Sequence, residues 1–383
     1  MKRLNPTTQN YAWGSRSLLA ALRNEDPTAD PEAELWYGAH PDAPSTLGGG
    51  SSLLDQITAD PVARLGQSVV DRFGRHLPFL LKLLAADSPL SIQAHPTMEQ
   101  AVEGFAREDA HGIDRTARHR CFRDPFHKPE LIVAVTEFEA MIGFRPIEPT
   151  LDFLTQLGAN ELASVLANHG PRNAVAWLLS PRDRDAAIAS ANIERITDAA
   201  AELSNSAFTA EADLITRLAA SYPGDPGIGV AALLNRVLLE PGEGLYLDAG
   251  TLHAYVGGLG IELMANSNNV LRGGLTPKHI DVHTLLEVLK PDVRVPTVLH
   301  RRADNTYDVP AEEFFLRLIQ SGFEVTGPAI ALSVTGEVTA KSENSSLVLL
   351  PTEALWIDAG ETVFVESSGT GAVATANLST NDG

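Results

Sequence analysis

Cysteine is almost absent: Cys121 stands alone among 383 residues, so no intrachain disulfide forms and no cysteine-rich zinc site is available. Cys121 reads as a small packed residue. Long apolar runs are missing too. No window approaches the roughly 20 apolar residues of a bilayer span, and the charged start, Met1 to Pro6, has no apolar stretch of signal-peptide length behind it. The chain is therefore expected to be soluble and unsecreted. Positive charge is in deficit, with 29 Lys and Arg against 49 Asp and Glu and a net charge of -20. A nucleic-acid or anionic membrane surface needs a basic face to displace counterions, so neither partner is expected. An anionic small molecule stays open, provided that Lys and Arg gather locally.

What is present is a globular composition, 44% hydrophobic, with 30 glycines and 24 prolines. That punctuation suits many short strands and tight turns. Residues 77–92 read as apolar strand-like segments that end at the turn Gln93-Ala94-His95-Pro96. Thr97 with Gln100 resembles a capping box, and Met98, Val102 and Phe105 then recur at helical spacing, which predicts a helix after the turn. Between about Thr150 and Arg236 the texture becomes rich in alanine and leucine, with Gly158, Asn160 and Ser180-Pro181 as start and stop signals. The expected organisation is a β unit of residues 1–149 and 237–300, a helical insert over 150–236, and a second β unit over 301–383. A repeat supports it: the ten residues Pro241–Gly250 are echoed by Pro351–Gly360, in a register that sets Val363 where the first copy has His253.

Gln93 and His95 sit two apart, so in an extended strand both side chains face the same way and converge on one point. Glu130, leading into the strand-like Leu131–Val135, and His253, just after the Asp248-Ala249-Gly250 turn, are further candidates. Two imidazoles, a carboxylate and an amide oxygen suit zinc ahead of iron, manganese or cobalt, with a further position kept for water or substrate. The four come from distant segments, so no compact metal motif exists. The loop from Asn266 to Lys278 is polar, glycine-punctuated and carries Arg272, which can fork onto a phosphate or an enediolate oxygen, and Lys278, a point charge. Lys82 lies among Leu80, Leu81, Leu83 and Leu84; it either faces a polar cavity or snorkels from an edge strand.

Five segments, in order, resemble type I phosphomannose isomerases: Asn10-Tyr-Ala-Trp-Gly-Ser15, Glu34-Leu-Trp-Tyr-Gly-Ala-His-Pro41, Ser91-Ile-Gln-Ala-His-Pro96, His127-Lys-Pro-Glu130 and the stretch from Met264 to Lys278. They span the chain to about residue 285, and the final β region is similar in texture. The resemblance implies a mainly β fold of jelly-roll cupin barrels with a helical insert, the C-terminal barrel carrying no metal. It also implies one zinc ion held by Gln93, His95, Glu130 and His253, and isomerisation of mannose 6-phosphate to fructose 6-phosphate in a cytoplasmic monomer. The family's catalytic arginine falls on Arg272 and its phosphate-side groups on Ser91, Lys82 and Lys278. Trp13 and Tyr255 fall beside the sugar, although aromatic residues beside strands are more often core. One departure stands out: the family usually reads Ser-Asp-Asn where this chain has Ser267-Asn268-Asn269, which excludes a carboxylate base at 268.

A C1/C2 proton transfer through a cis-enediol needs a base, an electrophile and a grip on the phosphate. The base is open among His127, Lys128, Glu262 and metal-bound hydroxide, with the His127-Lys128 pair placed first. A related cupin isomerase acting on another sugar is the alternative reading. A non-catalytic sugar-binding cupin would have lost a ligand or Arg272, and neither is lost.

Overall fold

The computed structural model describes residues 1–181 and 183–378. It is mainly β, built from antiparallel sheets, with a helical part between two groups of strands. No helix among the described residues is long and apolar enough to cross a membrane.

The strand Phe79–Ala86 pairs on one side with Glu34–Tyr37 and on the other with the second half of the long strand His253–Ala265. Glu130–Ala134 lies on the far side of that long strand. Side chains alternate between the two faces of a strand. Lys82, Leu84, Trp36, Glu262 and Met264 therefore line a cavity. Leu81, Leu83, Leu35, Ile261 and Leu263 point the other way, into a core shared with Leu332 and Trp356 of the C-terminal strands. This explains a lysine that is only 5% exposed among leucines that are fully buried. The first half of the long strand turns to other partners, Phe138–Phe144 and, through His253 opposite Gln93, Ile92–Ala94.

The capping box at Thr97 and Gln100 forms, and a helix runs from Met98 to Ala110. Helices between Ile147 and Ala231 make up the helical part. One helical stretch starts at Asn160, breaks at Gly170, whose φ of 77° leaves the helical region, and ends at Leu179, before Ser180-Pro181; Gly158 just ahead of it takes a positive φ of 66° that suits a glycine at a helix end. The repeat is structural: each copy carries a strand, Gly244–Leu247 or Ala354–Ile357, and closes on a glycine with φ of 77° or 76°. His253 and Val363 then sit at the starts of the next strands. One pairing crosses the expected division. Lys2–Asn5 and Thr46–Leu47, both within 1–149, extend the C-terminal six-stranded sheet, because Leu4 and Leu47 bury themselves in the core that the two β units share.

Leu81 tests that shared core. Leu81→Ala should lower unfolding free energy by about 2–5 kcal/mol in urea titrations. A loss under about 1 kcal/mol would mean that the back of this sheet is not packed as described.

Candidate active site and metal centre

Three backbone registers assemble the centre. His253 lies opposite Gln93, and Arg272, on the short strand Leu271–Gly274, lies opposite Gln93 on its other side. Residues directly opposite in an antiparallel pair project from the same face, so the two candidate ligands and the arginine share one wall. Glu130 enters at the first position of its strand, opposite Met264.

The side chains meet closely. His95 Nε2 is 3.2 Å from Glu130 Oε1, and His253 Nε2 is 3.4 Å from Glu130 Oε2. The Gln93 amide nitrogen stands 3.3 Å from His253 Nε2, and turning the amide over brings its oxygen to the same place. These spacings match the edge of a tetrahedron with bonds of about 2.0–2.1 Å, roughly 3.3 Å. Tautomers sharpen the case. His95 Nδ1 lies 2.6 Å from the Asn269 carbonyl and His253 Nδ1 lies 3.0 Å from the Thr251 carbonyl. Each carbonyl requires the proton on Nδ1, which leaves a bare lone pair on each Nε2, as in metal-bound histidines. Burial pushes the His95 imidazolium down to about 4, with the Lys128 charge assisting, so the ring is neutral near pH 7. Two imidazole lone pairs thus face a carboxylate inside the protein. His95 Nε2 and Glu130 Oε1 are buried and make no hydrogen bond, although Lys128 Nζ stands 2.8 Å from that oxygen. Acceptors facing acceptors repel unless a cation lies between them, and the donor set of two nitrogens, a carboxylate and an amide oxygen fits zinc.

Above this cluster Lys82 Nζ bonds Glu262 Oε2 at 2.7 Å and approaches Glu34 Oε1 at 3.5 Å. It also lies 5.1 Å from the centre of the Trp36 ring. Burial alone would lower the Lys82 ammonium, but Glu262 and Glu34 outweigh it and hold the group above the ordinary lysine range. The Glu262 carboxyl moves up: burial raises it, Lys82 pulls it back, and Glu130 and Glu34 push it up again. Tyr255 is buried, packs edge-on against Phe138 and brings its hydroxyl within 3.5 Å of Glu130 Oε2.

The cavity these groups open into measures about 1040 Å³, at the upper end of small-molecule sites. It brings together Gln93, Glu130, Lys82, Lys128, Glu262, Ser91, Arg272, Lys278, Trp13 and Tyr255, with the buried rings of His95 and His253 behind Glu130. His127 does not join them. Its Nε2 pairs with the Glu313 carboxylate of the C-terminal part and it does not line the cavity. Asn268 lines the cavity, and its amide donates to the Asp42 carboxylate at 2.9 Å.

Residues without a sequence signal complete the frame. Asp225, in the helical part, accepts from the backbone N–H groups of Gly227, Leu275 and Thr276. A Cβ on Gly274 would sit 2.3 Å from Gly227 Cα, so the glycine pair before Leu275 lets the helices dock against the cation-bearing loop. Tyr222, hydrogen-bonded to the Pro89 carbonyl, also lines the cavity. Glu34 and Trp36 belong to a segment that the resemblance singled out but to which no role was given.

Comparison with known proteins follows the same lines. Residues 1–147 match the family described as phosphomannose isomerase type I, catalytic domain. The chain is 36% identical over 407 residues to mannose-6-phosphate isomerase of Salmonella typhimurium, covering 98% of each. It is 32% identical over 409 residues to the human protein of that name, covering 94% of each. Among solved structures, a mutant phosphomannose isomerase from Salmonella typhimurium superposes with a TM-score of 0.89 at 35% identity, over 99% of this chain and 100% of that one. A mannose 6-phosphate isomerase described as holo and zinc bound gives 0.88 at 34%, over 98% and 99%.

Removing one imidazole tests the centre. His95→Ala should cut zinc affinity by at least 10–100-fold, read as metal content after dialysis against a weak chelator, with the circular dichroism of the chain retained. Undiminished zinc would exclude His95 as a ligand.

Proposed function

The chain belongs to the type I phosphomannose isomerase family, and from that premise we propose how its side chains carry the work of a zinc enzyme that interconverts mannose 6-phosphate and fructose 6-phosphate. The carrying observation is one cavity that joins two chemically different groups: a buried cluster of metal ligands with Glu262 beside it, and the cations Arg272 and Lys278, which no carboxylate neutralises among the described residues.

Gln93, His95, Glu130 and His253 hold the metal. Bound there, zinc supplies Lewis-acid polarisation of the sugar oxygens. Glu262 moves the proton between C1 and C2. It faces the cavity, and its carboxyl is tuned upward by burial, as a base working near neutral pH requires. Of the side-chain rivals, His127 pairs with Glu313 and does not line the cavity, and Lys128 faces the metal ligand Glu130 at 2.8 Å. Arg272 offsets charge that develops on the enediolate oxygens, since its strand position lies directly opposite Gln93, on the cavity wall that carries the metal ligands. Ser91 and Lys278 take the phosphate. Lys82 was expected beside them, but Glu34 and Glu262 flank it and would repel a phosphate there. We place it as the partner that orients Glu262. Trp13, stacked on Tyr11 at 5.6 Å, closes a side of the sugar site, and Tyr255 packs beneath it.

Glu262→Gln keeps size and hydrogen bonding while removing the base. It should retain one zinc per chain and lose turnover of mannose 6-phosphate by roughly 10²–10⁴-fold. Near-normal turnover would remove Glu262 from the role. The pH profile gives a second reading with a definite sign. Because burial raises the Glu262 carboxyl, protonation silences the base as pH falls, so the acidic limb of kcat/KM should lie above the ordinary glutamate range. A limb at or below that range would contradict the assignment.

A further inference from the structure

Arg123 lines the same cavity as Arg272 and Lys278, yet neither motif nor spacing draws attention to it. We propose that Arg123 is a second phosphate-binding cation, joining Lys278 on a basic wall of the cavity that also carries Arg272. This rests on the isomerase reading and deepens it.

Charge carries the first part of the argument. The chain carries a net charge of -20, so cations left beside a cavity without a carboxylate partner leave a local excess of positive charge. Among the described residues no carboxylate oxygen stands within 4 Å of the side chain of Arg123, Arg272 or Lys278. The neighbouring Arg120, by contrast, is buried and bound to Glu108 and Asp109. The three unneutralised cations feel one another. Burial lowers the Arg272 and Lys278 groups, and Arg123 lowers both further. Like charges kept together without a counter-ion mark a place that an anion fills, and a guanidinium fork matches the oxygens of a phosphate.

Preorganisation carries the second part. The backbone leading to Arg123 is fixed from below, where Glu108 accepts the N–H groups of Cys121 and Phe122 at 3.0 and 2.8 Å. It is fixed from the side, where the fully buried Asn269 accepts the Arg123 N–H through Oδ1 at 2.7 Å and donates to the Asp124 and Phe126 carbonyls. The carbonyl of this same Asn269 receives His95 Nδ1. One asparagine thus sets both a metal ligand and the stem of Arg123, which fixes the distance between the reacting end of the sugar and its phosphate. A fixed stem lowers the entropy that a long side chain loses on gripping its ligand.

The test uses the zinc-loaded enzyme and its Arg123→Gln, Arg123→Lys and Arg115→Gln variants. Steady-state kinetics on mannose 6-phosphate are paired with competitive inhibition by inorganic phosphate. In Arg123→Gln, KM and the phosphate inhibition constant should both rise about tenfold, as for the loss of one charge-assisted contact. The kcat should stay within about twofold, since the contact exists in ground and transition states alike. Arg123→Lys should fall between the two, keeping charge and losing the fork. Arg115, outside the cavity and 65% exposed, reports on long-range charge and should change nothing. Unchanged KM and phosphate inhibition in Arg123→Gln, a loss confined to kcat, or an equal effect from Arg115→Gln would each overturn the proposal. An unmodified holoenzyme that fails to turn over mannose 6-phosphate would instead bring down the isomerase reading itself.

Discussion

A carboxylate and two imidazole lone pairs held face to face, out of water, are the constraint on which the site depends. Glu130, His95 and His253 are each at most 2% exposed, and acceptors packed this way destabilise the fold unless a cation joins them. Nearby charges do not serve. Counting the surrounding ionised groups, Lys82 and Lys128 stand against Glu34, Glu130 and Glu262, two cations against three carboxylates. A dication removes the local repulsion and more than offsets the residual negative charge. Metal binding and folding of this region are then parts of one equilibrium.

Strand register is what makes so tight a cluster buildable from distant segments. Alternation along Phe79–Ala86 and His253–Ala265 delivers the polar side chains to the cavity and their neighbours to the core, so each polar position is locked by the packing of the residues beside it. The loops are secured differently, by buried side chains that satisfy backbone groups. Asn269 ties a metal ligand to the segment after Cys121. Asp225 ties the loop bearing Arg272 and Lys278 to the helical part. The helices therefore brace the cation-bearing loop, in addition to contributing Tyr222 to the cavity wall.

What the sequence exposed and what it hid differ in kind. Gln93 with His95 was readable because a strand obeys a period of two. The helix after Pro96 was readable because Thr97 and Gln100 form a local box, and the repeat because both copies end in the same glycine turn. The placement of Lys82 was half visible: its leucine neighbours signalled a polar cavity, but the carboxylates that claim it come from strands 48 and 180 residues away. His127 stands beside a lysine that lines the cavity and still turns out to Glu313, a partner no local pattern reveals. Arg123, Asp225 and Asn269 act through tertiary contacts alone. The first strand joins the C-terminal sheet by pairing across more than 350 residues, which no window of sequence contains.

The most direct measurement is the zinc content of the chain set against its conversion of mannose 6-phosphate to fructose 6-phosphate in a coupled assay, before chelation, after it, and on zinc return. The account predicts one zinc per chain, turnover lost with the metal, and recovery that rises linearly to completion at one equivalent. Full turnover by the metal-free chain, or zinc that returns to the protein without returning activity, would contradict it.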